Sequence, residues 1–171
     1  MNGAIFYSGK YGSTEQYAKW IGEASGLPVF SIADPNADPL QYDFLLLGSS
    51  VVYFKLTIRH WIKANLTQLE DRAKVLFSVS GAGPSPKLER WVTTSLPPGL
   101  ASKIDHIALR GRLDHKKVSW GVKLMLFIAS VFNRDAEASK DERYGFDYVD
   151  KNSIEPILQL INKIQQDGQE D

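Results

Sequence analysis

Short apolar runs alternate with stretches of helical spacing from one end of the chain to the other. Gly3 to Tyr7, Pro28 to Ile32, Phe44 to Leu47, Val75 to Val79 and Ile104 to Leu109 read as strands. Between them, Tyr17, Trp20, Ile21 and Ala24 form one helical stripe, and Ile58, Trp61, Ile62, Leu66 and Leu69 form a second. Ser85-Pro86 ahead of Leu88, Trp91 and Val92 opens a third helix, with Ser as cap and Pro at the first helical position. The last runs over Asn152 to Gln166, with Ile154, Ile157, Leu158, Ile161 and Ile164 on one face. Strand–helix alternation specifies a parallel sheet with helices on both faces. Right-handed crossovers then favour a doubly wound α/β fold of five strands in the order 2-1-3-4-5.

Composition narrows the function. The 171 residues carry 20 basic and 20 acidic side chains, so the formal charge is zero. A nucleic-acid binder needs a basic face, and a long-range electrostatic shuttle needs a dominant sign; neither is expected here. With no cysteine, disulfides, thiolate nucleophiles and iron–sulfur clusters are excluded. One domain spanning 1–171 is expected, with a frayed tail from about 167. The N-terminus enters its apolar run without a basic region, so a cytoplasmic protein without a signal peptide is expected.

In an open α/β sheet, ligands sit beyond the carboxyl ends of the strands, where the strand order reverses. The loop after the first strand is Ser8-Gly9-Lys10-Tyr11-Gly12-Ser13-Thr14, leading into a helix. Glycines that let the backbone approach closely, three hydroxyls and N–H groups at a helix start suit a phosphate. A capping box between Ser13 and Gln16 is the plainer alternative, but it leaves Ser8, Thr14 and both glycines unexplained. The loops Gly48-Ser49-Ser50-Val51-Val52-Tyr53-Phe54 and Ser80-Gly81-Ala82-Gly83-Pro84-Ser85 follow the third and fourth strands. Their small residues and aromatic pair suit a flat ligand with a polar edge. The pair Tyr53 and Phe54 covering the sheet end is the structural alternative. No P-loop, complete dinucleotide fingerprint or nucleophile elbow occurs. His60, His106 and His115 stand apart from acids at ligand spacing, so no metal site is expected.

These three loops, the doubly wound pattern and the Phe77-Ser78-Val79 strand resemble flavodoxin-like FMN proteins. The closer resemblance is to the branch containing bacterial menaquinone-dependent protoporphyrinogen IX dehydrogenase, and it extends through Ala108-Leu109-Arg110 and the last helix. The sequence departs from that branch at Gly9, where a Thr is expected, at Phe54, where Gly is expected, and along Ser80 to Gly83. The resemblance implies FMN as cofactor. Its phosphate would lie on Ser8, Lys10, Tyr11, Gly12, Ser13 and Thr14. Its ring would lie between Ser50, Val51, Val52 and Tyr53 on one side and Ser80, Gly81, Ala82 and Gly83 on the other. Lys10 would offset the phosphate charge and Tyr53 would stack on or edge the ring.

The activity implied is electron transfer from a reduced substrate through FMN to a quinone or a protein acceptor. No side chain stands out as an acid–base catalyst. A one-electron carrier and a flavin-free binding module are the alternatives. An insertion over about 111–147 separates the fifth strand from the last helix. A basic cluster of Arg110, Arg112, His115, Lys116 and Lys117 precedes Val118 to Phe132, where eleven of fifteen residues are apolar and only Lys123 is charged. That segment is too short to span a membrane. A buried helix, a peripheral contact with the inner membrane face through 112–132, and a homodimer or substrate contact remain open. Tyr144, Phe146 and Tyr148 alternate with Gly145 and Asp147 and read as a short extended structural segment.

Overall fold

A computed structural model of the chain describes residues 1–113 and 146–168. Strand β1 (Gly3–Ser8) leads into helix α1 (Ser13–Ser25), followed by β2 (Val29–Ser31) and β3 (Phe44–Val52). The chain turns back through β4 (Lys55–Leu56) into α2 (Arg59–Ala64) and α3 (Leu66–Leu69). Next come β5 (Ala73–Ser80), α4 (Pro86–Ser95), α5 (Pro98–Ala101) and β6 (Asp105–Arg110). A small ribbon of β7 (Arg112–Leu113) and β8 (Phe146–Asp147) precedes a 3₁₀ turn and α6 (Glu155–Asp167).

The sheet order is β2-β1-β3-β5-β6, all parallel, which is the expected 2-1-3-4-5 order once β4 is set aside as a hairpin arm of β3. Alternation along the strands splits the core between two faces. Ile5, Phe44, Leu46, Val75 and Phe77 pack with Tyr17 and Ile21 of α1 and Ile157 and Ile161 of α6. Ala4, Phe6, Leu45, Leu47 and Leu76 pack on the other face with Ile62 of α2, Leu69 of α3 and Leu88 and Val92 of α4. Each fully buried Leu or Ile contributes about 1.5–3 kcal/mol, so the two layers hold the strand ends in register. Ser85 caps α4 as expected, its side chain accepting from Leu88 N at 3.2 Å.

Two elements differ from the apolar pattern. The third strand does not stop at Leu47 but runs to Val52, so Val51 and Val52 are strand rather than loop residues. Ser49 and Ser50 break the apolar run without breaking the strand, because their hydroxyls find partners inside. Ser49 Oγ donates to the Ser50 carbonyl (3.0 Å) and accepts from Ile58 N (3.3 Å). The stripe from Ile58 to Leu69 is two short helices rather than one. Asn65 interrupts it at φ −114, and its side-chain amide donates to the Trp61 carbonyl at 2.9 Å. The apolar segment 118–132, His115, Tyr144 and the end of the tail lie outside the described residues. Asp167, placed at the start of the frayed tail, is the last residue of α6.

Candidate functional site

At the carboxyl edge, β1, β3 and β5 deliver their following loops side by side, because β1 pairs with β3 and β3 with β5. The first loop ends at Gly12, in the left-handed region at φ +89, where a side chain would be strained. No side chain caps α1, and the capping box does not form: Ser13 lies inside the helix and its hydroxyl accepts from Arg112 N at 3.1 Å. Only Gln16 N returns to the Gly12 carbonyl, at 3.0 Å. The N–H groups of Ser13, Thr14 and Glu15 therefore point out of the helix start, the positive end of its dipole. A Cβ on Gly12 would meet no atom within 4 Å, so nothing packs over the turn at this position.

The loop's shape is set by bonds to the second loop. Thr14 Oγ1 and Ser50 Oγ, both buried, lie 2.8 Å apart, and Lys10 N donates to the same Ser50 oxygen at 3.4 Å. Gly9 is a glycine for a steric reason: a Cβ there would fall 2.9 Å from Thr14 Cβ, which accounts for the absence of Thr at this position. The hydroxyls of Ser13 and Thr14 thus shape the cradle, while its open donors are backbone N–H groups. Lys10 Nζ lies 5.6 Å from the Tyr11 ring centroid and 5.8 Å from that of Tyr53, a cation between two rings at the cradle's rim. The Tyr11 hydroxyl is buried without a partner. Ser8, at the end of β1, passes its carbonyl to the Thr57 hydroxyl at 2.9 Å.

The second loop is a two-residue hairpin turn. Tyr53 and Phe54 both take positive φ, 51° and 63°, the geometry of a type I′ turn that ordinarily selects Asn-Gly. Each such aromatic residue costs about 1–2 kcal/mol of strain. Both rings are more than half exposed, at 51% and 59%. Phe54 leans on Trp91 of α4, with centroids 4.8 Å apart, and Tyr53 is left facing the first loop through Lys10.

The third loop is closed down on one side. Ser80 Oγ donates to the Ala82 carbonyl at 2.6 Å, curling the chain over. The Phe146 ring occupies the space a Cβ on Gly81 would take, 2.3 Å from its Cζ, so this glycine makes room for β8. Phe146 stacks on Tyr148 (5.3 Å between centroids), and the Arg110 guanidinium carbon lies 3.5 Å from the Tyr148 centroid. A Cβ on Gly83 would lie 3.8 Å from Arg110 Cδ. Arg112 is fastened separately, with Nη2 donating to Gln16 Oε1 (2.8 Å) and Nη1 3.4 Å from Asp147 Oδ2.

Below this loop lies a chain of polar groups that sequence reasoning did not join. Ser78 Oγ is 2.8 Å from His106 Nε2, and His106 Nδ1 is 2.9 Å from Glu89 Oε1. The order hydroxyl–imidazole–carboxylate is that of a hydrolase, but Ser78 is fully buried within β5 and no substrate reaches it. The chain instead ties β5, β6 and α4 together. Near α1, burial first and then the Glu15 carboxylate raise the Tyr7 phenol above its ordinary pKa of 10.0. Lys19 pairs with the same Glu15 at 2.7 Å on the surface.

Of the predicted positions, Ser8, Lys10, Tyr11, Gly12, Ser13, Thr14, Ser50 and Tyr53 lie at the carboxyl edge of β1 and β3, where Lys10 and Thr14 bond Ser50 and Lys10 approaches Tyr53; Val51 and Val52 are residues of β3. Ser80, Gly81, Ala82 and Gly83 lie farther along that edge, against Arg110 and β8. Arg110, Phe146 and Tyr148 were missed as site residues. Arg110 directly follows the last apolar run, which is a legible signal. The two aromatics return from beyond the insertion and no local pattern marks them.

A parallel sheet of this order, with an uncapped glycine-led helix start at its switch point, defines a doubly wound α/β protein. The flavodoxin-domain family matches residues 4–142, and the chain belongs to that family. No curated protein matches it. Similar solved structures include the Trp repressor binding protein from Bacillus subtilis, at 13% identity and TM-score 0.48, with 83% of this chain and 96% of that chain covered. A flavodoxin from the domain Archaea aligns at 17% identity and TM-score 0.41, covering 84% and 94% of the two chains. The azoreductase AzrA aligns at 11% identity and TM-score 0.43, covering 84% and 99%.

Proposed function

We propose that this protein is an FMN-dependent oxidoreductase similar to the menaquinone-dependent protoporphyrinogen IX dehydrogenases. In this reading it moves electrons from a reduced organic substrate to a quinone or protein acceptor. The observation that carries the reading is the α1 start: Gly12 at φ +89, no side-chain cap on the helix, and open space beside Gly12. These residues fit a phosphate monoester. Family membership over residues 4–142 supports FMN as the molecule that carries it.

When bound, the flavin supplies the hydride and electron chemistry that no side chain of this chain offers. The chain's own residues bind and orient. Backbone N–H groups of Ser13, Thr14 and Glu15 would hold the phosphate, and Lys10, set between the Tyr11 and Tyr53 rings, would add a positive charge beside it. Ser50 fixes the loop by bonding Thr14 and Lys10 at once. Tyr53, held exposed by a strained turn, offers a ring face beside the cradle. The zero net charge favours an enzyme over a freely diffusing carrier.

The test is the absorbance spectrum of the purified protein before and after FMN is added, followed by anaerobic titration with reductant. Flavin bands that bleach in one two-electron transition are expected, and they justify assays with porphyrinogen and quinone. Two well-separated one-electron transitions would make the protein a carrier. No bands with excess FMN would refute the cofactor reading.

A further inference from the structure

We infer that Arg110 is an anion-stabilising residue of the flavin site, holding the negative charge that reduction places on the bound cofactor. The inference rests on the FMN reading above and adds a residue and a direction of redox tuning to it.

Arg110 ends β6 opposite Ser80, which ends β5, so its side chain starts at the carboxyl edge beside the third loop. Its backbone is anchored: the Arg110 carbonyl accepts from the Tyr17 hydroxyl at 2.9 Å, and Gly111 N donates to the Ser80 carbonyl at 2.8 Å. The side chain lies along that loop, its Nη2 reaching the Gly81 carbonyl at a long 3.5 Å and its stem passing Gly83. One face of the guanidinium is covered by the Tyr148 ring at 3.5 Å. Nε is buried with no hydrogen-bond partner.

No carboxylate answers this charge among the described residues. The ion pairs there join Lys19 to Glu15, Lys103 to Asp71, His106 to Glu89 and Arg112 to Asp147. The contrast with Arg112, two residues away and bonded to both Asp147 and Gln16, is informative. Arginine cannot shed its proton, so a partly desolvated guanidinium without a counter-ion stays charged and favours any anion that arrives. A ring quadrupole and one long carbonyl contact are weak substitutes for an ionic partner.

The third loop is the wall given to the flavin ring. Taking two electrons and one proton, as when a hydride leaves the reduced substrate, changes the bound cofactor by one negative charge. A fixed cation at that wall interacts better with the reduced than with the oxidised state, so it raises the reduction potential. The geometry therefore favours two-electron transfer over a carrier held at low potential.

The experiment measures FMN affinity in the oxidised and reduced states, and the midpoint potential, for wild type, Arg110→Gln and Arg110→Lys. Circular dichroism and melting confirm that each variant is folded. Arg110→Gln is expected to keep oxidised-FMN affinity within threefold and to weaken reduced-FMN affinity at least tenfold, lowering the two-electron potential by about 30 mV. Arg110→Lys should retain most of the wild-type value. Should the Gln variant fail to fold, wild type decides by proton uptake on anaerobic reduction, below the pH at which free reduced flavin loses its second proton. One proton per two electrons is expected, and two overturn the inference. Equal weakening of both states, or an unchanged potential, also overturns it while leaving the FMN reading intact. Failure of wild type to bind FMN refutes the reading itself.

Discussion

Gly12 and Gly26 stand at opposite ends of α1, in the same left-handed region at φ +89 and +74, and a Cβ at either meets nothing within 4 Å. Replacing each with Ala imposes the same backbone penalty, about 1–2 kcal/mol. A more restricted unfolded chain offsets about 0.4–1 kcal/mol of it. The net loss is about 0–1.6 kcal/mol for either variant, at about 2–4 °C in Tm per kcal/mol for a domain of this size. The two should part in ligand binding. At Gly12 the new methyl stands in the open space beside the helix start, and the strained turn is expected to cost a bound phosphate at least one charge-assisted bond. Losing such a bond costs about 1.5–3 kcal/mol, or about 10- to 150-fold in Kd. Gly26 closes the far end of α1 and should leave Kd unchanged. Calorimetric titration with FMN and with riboflavin, which lacks the phosphate, checks this. Gly12→Ala should weaken FMN selectively, leaving riboflavin as it is in wild type. If Gly12→Ala and Gly26→Ala melt alike and bind FMN alike, the phosphate does not sit at the α1 start.

Three further outcomes follow from the same geometry. Exchanging Tyr53-Phe54 for Asn-Gly removes two strained positions at about 1–2 kcal/mol each, against about 0.5–1.5 kcal/mol of lost ring contact with Trp91. Chemical denaturation should show a gain of about 0.5–3.5 kcal/mol while FMN affinity falls; a loss of stability would mean that the turn is unstrained. His106→Ala leaves the buried Ser78 hydroxyl without its partner and should cost about 1–3 kcal/mol. Adding Ser78→Ala should recover part of that loss, and strict additivity in the cycle would deny that the two are coupled. The phenol of Tyr7 is raised by burial and then by Glu15, so at high pH the unfolded chain releases this proton before the folded one does. Its stabilisation is complete below pH 10 and is lost as pH rises through the higher folded value. Tyr7→Phe should flatten the fall of Tm above pH 10, although Lys19, held protonated by Glu15, keeps part of the slope. An unaltered profile would show that Tyr7 does not couple to folding.

Much of the architecture was legible because local and global demands agree. Continuous apolar runs bury both faces of β1, β3 and β5, and stripes of period near 3.6 turn α1, α4 and α6 inward. Ser85-Pro86 specified its own helix start, since the cap and the fixed proline φ act within one turn. The glycine–hydroxyl loop was legible for the same local reason. What escaped depended on partners far along the chain. Ser49 and Ser50 look like loop residues until Thr57, Ile58, Thr14 and Lys10 satisfy their hydroxyls, and only then does β3 continue to Val52. Ser13 and Gln16 spell a capping box, but Arg112, from another strand, takes the Ser13 oxygen and leaves the helix start open. The contacts of Arg110 with Gly81 and Tyr148, and the seating of Phe146 over Gly81, join segments separated by the insertion. Patterns of period two and 3.6 record which face a residue turns to. They carry no record of which distant polar group meets it, so the sequence alone determined the sheet and its glycine–hydroxyl loop, and tertiary contact decided which hydroxyls, rings and charges come together at the carboxyl edge.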